Sequence, residues 1–180
     1  MEFALQKKLS ADEVKYIRRK LKLKQKELAA LANVSVKTVE HWESSGTEVK
    51  GAAAALLCIL RERVWLPDEL EIPEKKLSLR LRYMHADQLC TVIDVEDREE
   101  LVRIKNFVTD PVFCAFGRNE HPTYKDYEAF LESRCFPPTR DKMKIMLREL
   151  NLPFYDPFMI IEKTEGRMAD DNFWIRIERL

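Results

Sequence analysis

The chain has 180 residues, of which 46% are hydrophobic and 34% charged, and its formal net charge is zero. This balance excludes an intrinsically disordered chain, and no apolar run approaches the roughly 20 residues that a membrane-spanning helix needs. The first ten residues, MEFALQKKLS, lack the apolar stretch of a signal peptide, so we expect a cytoplasmic protein.

The zero net charge hides an asymmetry along the chain. Residues 1–66 carry thirteen Lys and Arg against eight Asp and Glu, whereas residues 67–180 carry eighteen against twenty-three. Opposite charge in the two parts predicts two domains with different partners, and a basic first third is compatible with nucleic-acid binding. The four cysteines show no metal-binding spacing, so we expect reduced, mostly buried thiols.

Short amphipathic helices are predicted at the start of the chain. Ser10 and Glu13 have the spacing of a capping box, which begins a helix that should end near Leu21. A second helix should start around Lys24, since apolar residues then recur at the i, i+3, i+4 spacing of a buried stripe.

The second helix is predicted to stop abruptly and to be followed at once by a third. Asn33 tolerates the left-handed conformation that a sharp turn demands, and Ser35 is a good cap for the next helix. Val39 and Trp42 should face the core, and the outer side of this third helix is polar. A fourth helix should cover about residues 52–63. Two short helices that cross through a tight turn form a helix-turn-helix unit.

The segment SADEVKYIRRKLKLKQKELAALANVSVKTVEHWESSG resembles the phage-repressor-like helix-turn-helix family, the Cro- and XRE-type regulators. The matching residues are RRKLKLKQKELAALANVSVKTVEHWE. Two features depart from the family pattern. Asn33 replaces the usual glycine, and ESSGTEVKG replaces a loop that contains glycine and proline. The resemblance implies that the third helix enters the major groove of double-stranded DNA and that a homodimer binds a palindromic operator.

The resemblance also implies a set of DNA-binding residues. They are Lys24, Gln25, Ser35, Val36, Lys37, Thr38, His41 and Lys50. Among them, Lys37 and His41 would face base edges and Val36 would contact a thymine methyl group. Gln25 and Thr38 would reach either a base or a phosphate. The remaining residues would contact phosphates, which position the protein without reading sequence.

A second domain is predicted after a linker. Residues 67–76 combine two prolines with many charges and separate a domain at 1–66 from one at 77–180. The segments LSLRLRYM, LCTVIDV and LVRIKNFV alternate with period two and predict an antiparallel meander. Three helices should follow, and NFWIRIERL should return as a last strand. The predicted fold class is therefore multi-domain, with an all-α helix-turn-helix domain followed by an α+β domain.

No catalytic motif occurs in the chain. P-loop, GxGxxG, GxSxG and HExxH sequences are absent, so we expect no enzyme activity, no catalytic residue, no metal and no cofactor. The segment ESRCFPPTR places Arg134, Phe136 and Arg140 around a proline-rich kink. These residues would bind an acidic protein partner, or they would form a rigid corner between two helices.

Two functions remain open at this point. One is a transcriptional repressor whose C-terminal domain dimerises, chiefly through residues beyond Pro67, or binds a partner. The other is an inhibitor from a mobile element, an anti-CRISPR protein or an antitoxin, whose helix-turn-helix regulates its own promoter. RCFPPTRDKMKIMLRELNLPFYDPFMIIEKTEGRMADDNFWIRIE resembles a domain of uncharacterised proteins on mobile elements of Gram-positive bacteria, and the architecture is similar to that of helix-turn-helix-bearing anti-CRISPR proteins.

Overall fold

The computed structural model describes residues 4–139 and 141–179, which form two compact units that divide between Glu71 and Ile72. Each unit has its own hydrophobic core. A helical first unit followed by a second unit of sheet and helices is the multi-domain architecture that the sequence predicts.

The N-terminal unit consists mainly of short helices. They are α1 (Ala11–Lys20), α2 (Gln25–Leu31), α3 (Val36–Trp42), α4 (Gly51–Glu62) and α5 (Leu66–Leu70). The predicted capping box begins α1, where the Glu13 amide donates to Ser10 Oγ at 3.4 Å and the Ser10 amide donates to Glu13 Oε2 at 2.7 Å. The core of this unit includes Leu28 and Leu60, both fully buried.

Two features of this unit differ from the prediction. A small antiparallel pair, β1 (Lys8–Ser10) with β2 (Glu48–Lys50), is added to the helices, so the unit is not purely α. Three-residue strands are too short to show a period-two pattern. The predicted linker also begins too early, because Leu66–Leu70 is the helix α5 and Pro67 is buried at its start. Proline is tolerated in a first helical turn, since its missing N–H has no partner there.

A buried ion pair joins α1 to the end of α3. Arg18 donates through Nε and Nη2 to the two carboxylate oxygens of Glu43, at 2.6 and 3.0 Å, and through Nη1 to the Leu23 carbonyl at 3.0 Å. The side chain of Glu43 is 5% exposed and that of Arg18 is 17% exposed. Hydrogen bonding to Arg18 lowers the pKa of Glu43 despite burial, and Gln25 adds to the effect. The pair therefore fixes α3 against α1.

The C-terminal unit contains a four-stranded antiparallel sheet with helices on one face. Its strands are β3 (Leu79–His85), β4 (Gln88–Glu96), β5 (Leu101–Asn106) and β6 (Phe173–Arg179), in the order β5-β4-β3-β6. The helices are α6 (Tyr124–Ser133), α7 (Met143–Glu149) and α8 (Pro157–Thr164). The predicted meander, the three helices and the returning strand beside β3 are all present.

Alternation along the strands separates the two faces of this sheet. On β3, Leu81 and Tyr83 are buried in the core that α6 and α8 complete. The opposite face carries Arg80, which donates to both oxygens of Asp94 on β4 at 2.6 and 2.7 Å. A bidentate pair on adjacent strands fixes their register, because a slip of one residue would place Arg80 on the apolar face.

Arg18→Ala should lower the free energy of unfolding of the N-terminal unit by about 3–5 kcal/mol, because it leaves the buried Glu43 carboxylate without its cationic partner. Hydrogen–deuterium exchange of peptides from residues 14–59, measured in the full chain over a urea series, reports this unit separately from the other. Arg18→Met combined with Glu43→Leu should recover most of the loss, since no buried charge is left unpaired. A loss below about 1 kcal/mol for Arg18→Ala would contradict the structural role of the pair.

The stability of the same unit should depend on pH through Glu43. The folded-state pKa of Glu43 is lowered, so its carboxylate stabilises the fold above the unfolded-state pKa of about 4.3, and this stabilisation is lost as the pH falls through the folded-state pKa. Below about pH 4, the unfolding free energy of the wild type should fall more steeply than that of Glu43→Gln, which has no proton to bind. If hydrogen–deuterium exchange shows the same dependence of the unfolding free energy on pH for both proteins, Glu43 does not have this role.

Candidate nucleic-acid interface

The turn between α2 and α3 has the predicted geometry. Asn33 adopts a left-handed conformation with φ of +52°, and the Val34 amide donates to the Ala29 carbonyl at 2.9 Å. Val34 then packs against the core, which holds the turn closed. Because this turn is only a few residues long, the positions of α1 and α2 determine the direction of α3.

Ser35 caps α3, as the sequence predicts. The Thr38 amide donates to Ser35 Oγ at 3.1 Å, and the two hydroxyl oxygens lie 2.8 Å apart. Ser35 is exposed and Thr38 is half-buried. The hydroxyl of Thr38 is therefore already engaged at the start of the helix, which makes its predicted contact with a base weaker than that of its exposed neighbours.

The outer side of α3 is exposed and mostly polar. Val36, Lys37 and His41 are exposed, as the implied DNA-binding role requires. On the inner side Val39 is fully buried and Trp42 is half-buried against the core. One helix thus presents a cationic amine, an imidazole and a methyl-bearing surface to solvent, while its other side is anchored.

Glu40 also lies exposed on this helix, and the sequence reasoning did not select it. A carboxylate is repelled by phosphates but accepts a hydrogen bond from the cytosine amino group in the major groove. The signal was present in the sequence, since Glu40 lies three residues after Lys37 on the same helix.

Gln25 has an internal partner that the sequence did not predict. Its amide nitrogen donates to Glu43 Oε2 at 3.0 Å, and the side chain is half-buried. The amide therefore helps to hold the carboxylate that Arg18 binds. A contact between Gln25 and DNA would therefore use a donor or acceptor atom other than the side-chain N–H that is bonded to Glu43.

Two of the predicted phosphate-binding lysines differ in their surroundings. Lys24 is exposed just before α2. The Nζ atom of Lys50 lies 3.0 Å from Glu48, and Lys8 lies 2.6 Å from the same carboxylate. Hydrogen bonds from Lys8 and then Lys50 lower the pKa of Glu48, so this exposed group stays charged and leaves one net positive charge among the three residues.

The predicted partner-binding residues of the C-terminal unit are used inside the fold instead. Arg134 is 7% exposed and donates to the carbonyls of Gly166 and Phe173 and to both oxygens of Asp171. Phe136 is also buried, and its carbonyl accepts a hydrogen bond from Tyr155 at 3.0 Å. The prediction that these two side chains clamp a partner is therefore corrected to a structural role. Arg140 lies outside the described residues.

Within residues 4–139 and 141–179, no helix is long and apolar enough to span a membrane. Over the same part of the chain, His, Cys, Asp and Glu side chains do not gather in groups of three or more that would hold a metal ion.

Comparison with known proteins gives one match. A family model described as helix-turn-helix matches residues 14–59, which run from α1 into α4 and include the exposed third helix. No curated protein and no solved structure matches the chain. The match does not extend to the C-terminal unit, whose resemblance to a mobile-element domain stays a prediction. Residues 14–59 are thus a helix-turn-helix domain of the XRE type, a DNA-binding module.

Proposed function

We propose that the protein is a sequence-specific transcriptional regulator that represses promoters in the cytoplasm and has no catalytic activity. The observation that carries this function is the outer side of α3, where Val36, Lys37 and His41 are exposed on a helix whose other side is anchored in the core. A rigidly held, exposed helix of this kind enters the major groove in helix-turn-helix proteins.

The exposed side chains divide into those that contact base edges and those that contact phosphates. Lys37 donates to guanine acceptors, Glu40 accepts from the cytosine amino group, and Val36 contacts a thymine methyl group. Lys24 and Lys50 lie on either side of α3 in the sequence and supply charge for phosphates. The negative charge of Glu40 is repelled by phosphates. It therefore weakens non-specific binding and favours sites that the helix recognises by sequence.

Lys37→Ala combined with His41→Ala should abolish selection of a preferred site from a random duplex library, because both changes remove donors from the groove-facing side. Affinity for the site that the wild type selects should fall by about tenfold or more. Library selection followed by fluorescence anisotropy, at one stated salt concentration, measures both effects.

Lys144→Ala is the matched control, since it removes the same charge from an exposed position of the C-terminal unit. It should leave the selected site unchanged, and circular dichroism should show that all variants are folded. Selection of the same site by the double variant, at undiminished strength, would contradict the assignment of α3.

The regulator is proposed to bind its operator as a homodimer. A single helix-turn-helix makes few phosphate contacts, and non-specific binding of this kind has dissociation constants on the order of 10⁻⁴–10⁻⁶ M. Two recognition helices spaced about 34 Å apart read two half-sites of a palindrome, which multiplies affinity and specificity.

Exposed apolar residues favour α4 and α5 as the dimer contact. Ile59, Val64, Trp65 and Leu70 are all large, apolar and at least 39% exposed, and they lie within residues 59–70. In the C-terminal unit the exposed large apolar side chains are dispersed along the sequence. This distribution favours a dimer contact at residues 59–70 over one formed chiefly by the C-terminal unit, because the sheet and helices there cover their apolar faces with one another.

Ile59→Ser combined with Trp65→Ser should convert the protein from a dimer to a monomer, because it removes apolar area that a dimer would bury. Light scattering should give about twice the 21.3 kDa chain mass for the wild type and the single mass for the variant. Phe154→Ser is the control, since Phe154 is 58% exposed in the other unit and should leave the dimer intact. A dimeric Ile59→Ser/Trp65→Ser variant together with a monomeric Phe154→Ser variant would place the dimer contact in the C-terminal unit.

The inhibitor alternative receives less support. It places a partner contact on the C-terminal unit, and the two described residues that the sequence indicated for such a contact, Arg134 and Phe136, are buried within the domain. A regulator needs only the DNA-binding module and a dimer contact, and we assign both to the N-terminal unit.

A further inference from the structure

A cleft of about 480 Å³ opens on the C-terminal unit, and neither the sequence motifs nor the DNA-binding role accounts for it. It is lined by Asp97 in the short turn after β4, by one side of α6 and by the start of α8. This volume lies in the range of small-molecule sites. All of its walls belong to one domain, so the cleft does not depend on how the two units are arranged.

The charge of this cleft has one sign. Four carboxylates line it, those of Asp97, Glu128, Glu132 and Asp156, and none of the described lining residues is Lys, Arg or His. Glu128 and Glu132 are exposed, lie one turn apart on α6 and have no hydrogen bond or ion pair with any described residue. Two like charges at this spacing destabilise a helix slightly, so their presence favours a role in binding a cation.

The other two carboxylates are held in place. Asp97 accepts a hydrogen bond from the hydroxyl of Tyr124 at 3.1 Å. Asp156 accepts from the Met159 amide at 2.8 Å, which caps α8 and offsets the positive end of that helix. The cleft therefore has two fixed carboxylates, one in the turn after β4 and one at the start of α8, and two free carboxylates on α6.

Tyr127 supplies the second, independent observation. It lines the cleft and is 2% exposed, yet its hydroxyl has no hydrogen-bond partner among the described residues. The hydroxyl oxygen is not among the buried polar atoms of the described residues that lack a partner, so it keeps contact with the open space of the cleft although the rest of the side chain is buried. The hydroxyl is therefore available to a ligand in the cleft.

The pKa values of both tyrosines are raised, chiefly by burial and to a smaller extent by the nearby carboxylates. Burial, followed by the charge of Asp97, raises the pKa of Tyr127 well above its ordinary value. Burial and the same carboxylate raise the pKa of Tyr124 to about 12, and Glu128 adds to the effect. Both phenols stay neutral at physiological pH, so their oxygens accept hydrogen bonds from a cation.

We propose that this cleft binds a small organic polycation, a linear polyamine with two or more ammonium groups. Fixed carboxylates on two elements and free carboxylates on α6 match separate ammonium groups, the hydroxyl of Tyr127 accepts from one of them, and the rings of Tyr124 and Phe158 contact the alkyl segments between them. A single lysine side chain would leave most of the 480 Å³ and half of the carboxylates without a partner. Small multivalent amines fit the cleft better than a protein side chain for this reason.

Isothermal titration of the full chain with spermidine tests the inference. We expect saturable binding of one molecule per chain, which weakens as salt is added. Glu128→Gln combined with Glu132→Gln should weaken binding by about tenfold or more, since two charge-assisted hydrogen bonds are lost. Tyr127→Phe, which removes only the free hydroxyl, should weaken it by about two- to tenfold. Amide NMR shifts on titration should concentrate at Asp97–Glu99, α6 and the start of α8.

Matched controls decide between this site and diffuse surface charge. Glu149→Gln removes one exposed carboxylate from α7, outside the cleft, and should leave binding unchanged, while the neutral 1,4-butanediol should not bind. An equal loss for Glu149→Gln, shifts spread over the surface, or no saturable binding would overturn the proposal. Tight binding of a lysine-rich peptide without binding of spermidine would overturn the choice of ligand and assign the cleft to a protein partner. None of these results bears on DNA binding by α3.

Discussion

The hydrogen-bonded pair of Arg18 and Glu43 is the contact on which the N-terminal domain depends. Arg18 lies on α1, Glu43 follows α3, and Gln25 at the start of α2 donates to the same carboxylate, so three helices meet at one buried charge. Removing two charges from water is costly, and the bidentate geometry with its extra donors offsets that cost. The result is a fixed angle for α3, whose outer side must keep a constant geometry to read a groove.

The C-terminal domain uses a second buried guanidinium in a similar way. Arg134, at the end of α6, donates to the Gly166 and Phe173 carbonyls and to Asp171, which joins the helix to the start of β6. Gly166 has a φ of +59°, and a Cβ atom there would lie 3.2 Å from Ile175, so glycine permits this close approach. In both domains, a planar cation with several donors holds segments that are distant in sequence.

Opposite charges in the two domains correspond to different chemistry. The N-terminal domain has a surplus of Lys and Arg and exposes a helix that carries Lys37 and His41, which suits a polyanion. The C-terminal domain has a surplus of acidic residues, and four of them line one cleft with two neutral phenols. The zero net charge of the chain thus results from a surplus of basic residues in one domain and an equal surplus of acidic residues in the other.

The sequence by itself determined the features that depend on neighbours along the chain. Caps at Ser10 and Ser35, the left-handed Asn33, the alternating strands and the exposed side of α3 all follow from local conformational preference and periodicity. Only the tertiary structure decided which charges meet. Arg18 and Glu43 are 25 residues apart, and Arg134 and Asp171 are 37 apart, so no local pattern indicates that these residues form pairs. For the same reason the sequence did not decide between a partner contact and a rigid corner for Arg134, and it did not indicate the strand pair of Lys8–Ser10 with Glu48–Lys50. It also gave no sign of the acidic cleft, whose walls come together only when the chain folds.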